Sequence, residues 1–332
     1  MWFWITLIVV IILWFTIALC IYQSAFGKRV EKQPGLKYFD ISEFPGVNRT
    51  PYSFTSKDHK INGFIYELEN SEPKGIVILV HGAGGGHDSY MHEICYFAKL
   101  GYKVFAYDNT GTMLSEGNKL NGFEQSIIDL RECILDIQST LEYAGLPIVL
   151  YGHSWGAYTV SSVSNYDDVK VNGIISLSAF NTPMFELTRM LTAQLGKFFY
   201  ILYPFLWMIS FIKFGKIAFF SSLKGYKKCN CPILLIHGTL DKLVPVTDFR
   251  KFREKLKDKK DAEFIELPTK YHRPNITDEG VIYDNAFNLE ANKIIYEKGD
   301  LKSYYEQADY VLLTKFDDRV MDRIKSFIER TE

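Results

Sequence analysis

Ser154 is the residue in this chain with the clearest chemical potential. It stands in Gly152-His153-Ser154-Trp155-Gly156, directly after the apolar run Leu146-Pro147-Ile148-Val149-Leu150-Tyr151. A buried-strand pattern that runs into G-x-S-x-G predicts a sharp strand-to-helix turn, with the serine hydroxyl exposed and its backbone strained. The flanking glycines remove β-carbons that would clash in so tight a turn. A five-residue match of this kind arises by chance in many chains. A serine hydroxyl is also a poor nucleophile until a base takes its proton. The pattern therefore needs a base, an acid and a pair of oxyanion donors to carry meaning.

The rest of the chain offers them. Pro232-Ile233-Leu234-Leu235-Ile236-His237 reads as a second buried strand, followed by a loop, Gly238 to Pro245, with a single acid, Asp241. Beyond Asp241 the chain holds one histidine, His272. In the order Ser, Asp, His, the base of a triad must then be His272. The short strand pattern Glu263–Leu267 places it on a loop at the carboxyl edge of a sheet. His272 would take the Ser154 proton and pass it to the leaving group, and Asp241 would hold the imidazole tautomer and stabilise the imidazolium. For the oxyanion, the run Gly75–Val80 ends in His81-Gly82-Ala83-Gly84-Gly85-Gly86. The backbone N–H groups of Ala83 and of Trp155, the residue after the nucleophile, are the candidate donors. No Gly-Lys-Ser/Thr follows the glycines, which excludes a Walker-type phosphate loop. His81 reads as a loop organiser and His153 as a structural part of the turn. His59, His87 and His92 share no metal-binding spacing with carboxylates or cysteines, and Cys229-Asn230-Cys231 lacks a partner pair. No metal or cofactor is expected.

These four motifs, in this order and each after a strand-like run, resemble the α/β-hydrolase superfamily. Within it the chain is similar to the monoacylglycerol-lipase and serine-aminopeptidase-like branch. The resemblance covers roughly residues 50 to 275 and the last helix. It implies a doubly wound, mostly parallel sheet with a helical cap, and a cofactor-free hydrolase. Two departures stand out. The loop after the next strand, which in this branch carries two glycines before a serine, reads Asp108-Asn109-Thr110-Gly111-Thr112-Met113-Leu114-Ser115, with Met113 in place of the second glycine. Residues 279–315 look like an aromatic-rich insertion before the final helix.

The elements that must position the site follow from periodicity. Strand patterns lie near 50–56, 60–68, 75–81, 103–108, 147–152, 171–178, 232–237 and 263–267. Helical patterns lie near 90–100, 122–144, 154–165, 246–257 and 317–330. Strands alternating with helices argue for an α/β fold. The chain divides into an anchor (1–22), a linker (23–36), a first core part (37–179), a cap or lid (180–228) and a second core part (229–332).

The segment MWFWITLIVVIILWFTIALCIY, residues 1–22, contains no charged side chain. As a helix it spans ~33 Å, enough for the ~30 Å hydrocarbon core. It lacks the basic start and short apolar stretch of a cleaved signal, and the bulky Leu19 before Cys20 weakens a lipoprotein reading. An uncleaved transmembrane helix is expected, and Lys28, Arg29 and Lys32 after it place the catalytic part on the cytoplasmic side. Between Pro183 and Lys228 the cap carries seven basic residues and one acidic residue, Glu186, in a run rich in Phe, Tyr and Trp. Such a segment suits a surface that touches anionic lipid. A cap that turns its apolar side onto the active site explains the same composition. The formal net charge of −1 gives no sign of nucleic acid as a partner. The sequence thus predicts a membrane-anchored serine hydrolase acting on a lipophilic carboxylic ester, monoacylglycerol- or lysophospholipid-like, whose partners are that ester and membrane lipid. The alternatives are a peptidase, amidase or thioesterase on the same triad, or a membrane-tethered binding protein on an inactive fold. Ser154 disfavours epoxide hydrolases and dehalogenases, which use a carboxylate at the turn.

Overall fold

Ile76–Val80 (β3) and Lys103–Tyr107 (β4) are buried at every position. A strand reads that way when helices cover both faces of a sheet, so no alternation survives. In the computed structural model, which describes residues 1–331, these strands lie inside an eight-stranded sheet. The others are β1 (Val47–Ser56), β2 (His59–Leu68), β5 (Ile148–His153), β6 (Gly173–Leu177), β7 (Ile233–Gly238) and β8 (Ala262–Leu267). The order is β1-β2-β4-β3-β5-β6-β7-β8. β1 and β2 pair antiparallel, β2 joins β4 antiparallel, and the remaining pairs are parallel. The strand order reverses at β3, and ligands in open α/β sheets bind beyond the carboxyl ends of strands at such a point. Val80 pairs with Gly152 and His153 with Leu177, so β3, β5 and β6 end level and deliver their following loops to one edge.

Helices α2 (Met91–Lys99) and α12 (Asp318–Glu329) cover one face; α3 (Phe123–Ser139), α4 (Trp155–Ser162) and α8 (Val246–Lys255) cover the other. The helix expected over 122–144 stops at Ser139, because Thr140 is extended, and a short 3-10 turn follows. Between β6 and β7 lie α5 (Pro183–Leu195), a 3-10 segment, α6 (Tyr203–Phe214), a second 3-10 segment and α7 (Ser222–Lys228). Residues 279–315 fall on α9 (Asp278–Glu297), α10 (Leu301–Glu306) and α11 (Tyr310–Thr314).

The amino-terminal helix departs from expectation. It runs from Trp2 to Phe26 as α1, four residues past Tyr22, and its last turns are buried against the other core helices. The segment 23–36 is correspondingly not a free linker. Val30 pairs with Thr112, and Arg29 donates to the carbonyls of Met113, Ser115 and Gly117. The Lys37 N–H donates to the Tyr310 hydroxyl of α11, and the backbone of Gly35 packs against Lys302 of α10. Helices α10 and α11 thus clamp the segment that leads from α1 into the sheet.

α4, which carries the Ser154 turn, is wedged against α7. A β-carbon on Gly225 would lie 1.8 Å from the Ser161 carbonyl oxygen, and Ser161 Oγ donates to Ser222 Oγ at 2.8 Å. Gly225→Ala is expected to destabilise the protein by about 1–3 kcal/mol through overpacking. An unchanged denaturant midpoint in equilibrium unfolding would rule out this close crossing.

Candidate active site

Ser154 sits between β5 and α4 with φ 57 and ψ −118, a backbone conformation that costs of order 1–3 kcal/mol for a side-chain-bearing residue. Two features hold it there. Its N–H donates to the Leu177 carbonyl at the end of β6. A β-carbon on Gly152 would also lie 2.3 Å from the Gly156 carbonyl oxygen, and one on Gly156 would lie 2.0 Å from that of Val80. Both glycines of the G-x-S-x-G pattern are therefore sterically required. Trp155 opens α4, so its N–H belongs to the first helical turn, which has no acceptor inside the helix.

Asp241 and His272 arrive from separate loops and meet: His272 Nδ1 lies 2.8 Å from Asp241 Oδ2. The other oxygen, Oδ1, accepts the N–H groups of Leu243 and Val244, each at 2.9 Å. Burial opposes ionisation of Asp241. The charge of His272 and its hydrogen bond, with His237 and the Val244 N–H, outweigh burial and hold the carboxyl below its ordinary value. The acid is thus a fixed anion at neutral pH and accepts the Nδ1 proton, which leaves Nε2 of His272 as the basic nitrogen.

His272 and Ser154 line one cavity with Ala83 and Trp155. Among the described residues, Ser154 and His272 share the cavity without a hydrogen bond between them, a common looseness before substrate tightens such a pair. Phe123, Phe180, Met190 and Leu243 give the cavity apolar walls. α5 adds one acid, Glu186, which is buried and paired with Arg189; Arg189 also reaches Asp248 at 3.2 Å. Burial pushes the Glu186 carboxyl up to about 8 despite Arg189. The geometry can supply a nucleophile, a base with its orienting acid, and two backbone donors beside an apolar chamber, which is the outfit of acyl transfer.

Comparison with known proteins bears on the fold and the class of chemistry. The family model "Serine aminopeptidase, S33" matches residues 71–210. The chain is 30% identical to human monoglyceride lipase over 126 residues, covering 35% of this chain and 41% of that one. It is 28% identical to mouse monoglyceride lipase over 172 residues, or 48% of this chain and 56% of that one. The stretches matched thus span about half or less of these relatives' length. An esterase from Pyrococcus furiosus superposes with a TM-score of 0.56 at 16% identity, over 81% of this chain and 98% of that one, which speaks to fold. The chain has the α/β-hydrolase fold. Its sequence is similar to the monoglyceride-lipase-like branch of that superfamily. The family match ends before Asp241 and His272, so those two assignments rest on the geometry of this α/β-hydrolase alone.

The structure also shows residues that sequence reasoning assigned too little. Burial, reinforced by the neighbouring His272, pushes His153 down to about 3, so its ring is neutral. Its Nε2 faces the His272 carbonyl at 2.8 Å and must donate there. Its Nδ1 then accepts from the Tyr90 hydroxyl at 2.9 Å. Tyr90 accepts in turn from the Gly82 N–H at 3.1 Å. Ser178, itself at φ 55, donates to the same His272 carbonyl. One chain of hydrogen bonds therefore links the loop after β3, the Ser154 turn and the backbone of His272. His81 accepts from the Asn109 N–H and donates to the Gly82 carbonyl, and burial keeps it neutral. Asp108 binds the N–H groups of His87 and Leu114, closing the loop that holds Met113. Met113 has φ 39, in the region glycine reaches freely, so a glycine would fit this position without strain.

Two substitutions test this network through the rate at which a fluorophosphonate labels Ser154. Asp241→Asn removes the anion while keeping shape, and labelling is expected to slow about 10⁴-fold. Tyr90→Phe breaks the chain of hydrogen bonds and is expected to slow labelling about tenfold, equivalent to roughly 1.4 kcal/mol. A wild-type rate in either folded variant would remove that residue from the site.

Proposed function

We propose that this α/β-hydrolase is a membrane-anchored serine hydrolase that cleaves carboxylic esters of lipophilic acyl chains, monoacylglycerol- or lysophospholipid-like, through an acyl-enzyme. The observation that carries the proposal is the Asp241–His272 pair at 2.8 Å, opening onto the apolar cavity that holds Ser154. Ser154 Oγ attacks the ester carbonyl carbon as its proton passes to His272 Nε2. The oxyanion forms between the Ala83 and Trp155 amides, each donor worth roughly 3 kcal/mol in the transition state. The C–O bond to the alcohol breaks and the alcohol leaves with the His272 proton. Water, deprotonated by His272, then attacks the acyl-serine, releasing the carboxylic acid and restoring the serine.

The membrane reading is supported by α1, a 25-residue helix whose most apolar 18-residue stretch has a mean hydropathy of 2.8. Residues 2–13 are exposed on all sides, about 18 Å of helix. A crossing of the ~30 Å hydrocarbon core therefore has to include the turns down to about Tyr22, along which the cap packs. Lys213 stands 4.9 Å over the Tyr22 ring, a cation and a tyrosine at the depth where the span would end. Beside α1 the cap exposes Phe198, Ile201 and Ile212. We place the catalytic part on the cytoplasmic side by the basic flank, although Arg29 and Lys32 of that flank are engaged by loop carbonyls and by Asp88. Among alternative substrates, a free amine would want the cavity's acid, Glu186. Its pairing with Arg189 favours the ester reading over an aminopeptidase.

Hydrolysis of acyl esters from two to sixteen carbons, in detergent, is expected to rise with chain length and to vanish in Ser154→Ala. Activity confined to the shortest esters would discard the lipid substrate and keep the triad. No difference from Ser154→Ala would discard ester hydrolysis.

A further inference from the structure

A helix that serves only as an anchor has no reason to bury its inner end. Along α1, Ile8 is 55% exposed, whereas Ala18, Tyr22 and Phe26 are 0%, 1% and 4% exposed. Those buried residues do not pack against an arbitrary patch. They lie where α3, α4 and α6 converge beside the catalytic cavity.

Tyr22 governs the turn that launches α3. Its hydroxyl donates to the Asn121 carbonyl at 2.7 Å. Asn121 has φ 67 and Gly122 has φ 147, two consecutive left-handed residues. A β-carbon on Gly122 would lie 2.3 Å from the Tyr22 hydroxyl, so helix and turn are in direct contact. The Asn121 N–H returns a bond to the Phe26 carbonyl at 3.2 Å. The residue after this turn is Phe123, a wall of the cavity.

Phe26 holds the other side. Its ring meets Phe123 edge-on at 5.0 Å and Trp155 at 6.2 Å, and Phe123 meets Trp155 at 4.7 Å. The Trp155 indole N–H donates to Ser126 Oγ at 2.8 Å, which fixes the last side of the ring. Trp155 directly follows Ser154 and carries one of the two oxyanion amides. Its side chain is thus packed by a residue from outside the hydrolase core. The cap is tied to the same point, since Ser210 of α6 donates to Glu124, the neighbour of Phe123.

We infer that the last two turns of α1 are a positioning element of the catalytic site: Tyr22 and Phe26 set Phe123 and Trp155, and through them the cavity wall and one oxyanion amide. The inference rests on the hydrolase reading for its kinetic consequences and on the contacts alone for its structural ones. Reacting groups held in a fixed geometry lose rate steeply when displaced by even a fraction of an ångström. α1 is then needed for turnover of a soluble substrate that never enters a membrane.

The test uses the full chain in detergent, a water-soluble four-carbon ester, and kcat expressed per serine titrated with fluorophosphonate, so that misfolded protein drops out. Phe26→Ala is expected to lower kcat about tenfold with KM within about twofold. Phe26→Leu, which restores bulk, is expected to recover most of that loss. Tyr22→Phe, which removes only the bond to Asn121, is expected to fall between. Ile8→Ser, on the exposed half of α1, is expected to leave kcat unchanged. A titrated kcat in Phe26→Ala equal to wild type overturns the inference and leaves α1 a plain anchor. Hydrogen exchange supplies a readout independent of turnover: Phe26→Ala, and not Ile8→Ser, is expected to speed exchange at residues 121–126 and 153–158. If the wild type shows no Ser154-dependent reaction, the hydrolase reading fails, and the exchange result still decides the positioning role.

Discussion

The site depends on one steric constraint, a turn between strand and helix too tight to admit a β-carbon on either side of the serine. Gly152 and Gly156 answer it by presenting bare backbone to the Gly156 and Val80 carbonyls. Ser154 alone pays for the geometry, by adopting φ 57. The surrounding fold keeps that strain from relaxing. β5 is paired on both edges, Leu177 accepts the serine's N–H, and α4 is pressed against α7 where Gly225 leaves no slack. The same turn places the first free amide of α4 next to Ser154. In the proposed mechanism, strain and electrostatic preorganisation are two results of one backbone path.

Much of this was legible before any coordinates. The central strands β3 to β7 announce themselves as short, largely apolar runs bounded by glycine, proline or charge, and buried parallel strands leave that signature because both faces are covered. The order of motifs along the chain identified Ser154, Asp241 and His272 as a set, and the fold brings Asp241 and His272 into contact and sets Ser154 on the same cavity. Sequence can do this because the chain order of loops at one sheet edge follows directly from the strand order.

Other features left no sequence signal. That His153 donates to the His272 carbonyl while accepting from Tyr90 depends on three loops meeting, and no spacing encodes it. Glu186 was visible as the cap's one acid, but its place in the cavity and its pairing with Arg189 are properties of how α5 crosses the sheet edge. The docking of α1 was hidden for a different reason. A helix that is apolar all round looks the same whether lipid or protein covers a given face, so the burial of Tyr22 and Phe26 could not be separated from the composition of a membrane span. The 3-10 break after Ser139 and the clamp built by α10 and α11 are likewise tertiary outcomes.

The clamp has a mechanical meaning. Between α1 and the sheet there is no swivel: Arg29 is fixed to three carbonyls, Val30 is paired with Thr112, and the stretch from Gly35 to Lys37 is pinned by α10 and α11. With α1 in a bilayer, the catalytic cavity rides on a rigid mount, at one height and one tilt above the lipid. Under the proposed function, such an enzyme would not sample orientations to find its substrate. The search would become two-dimensional, with lipid diffusing in the leaflet past a mouth that always faces the same way.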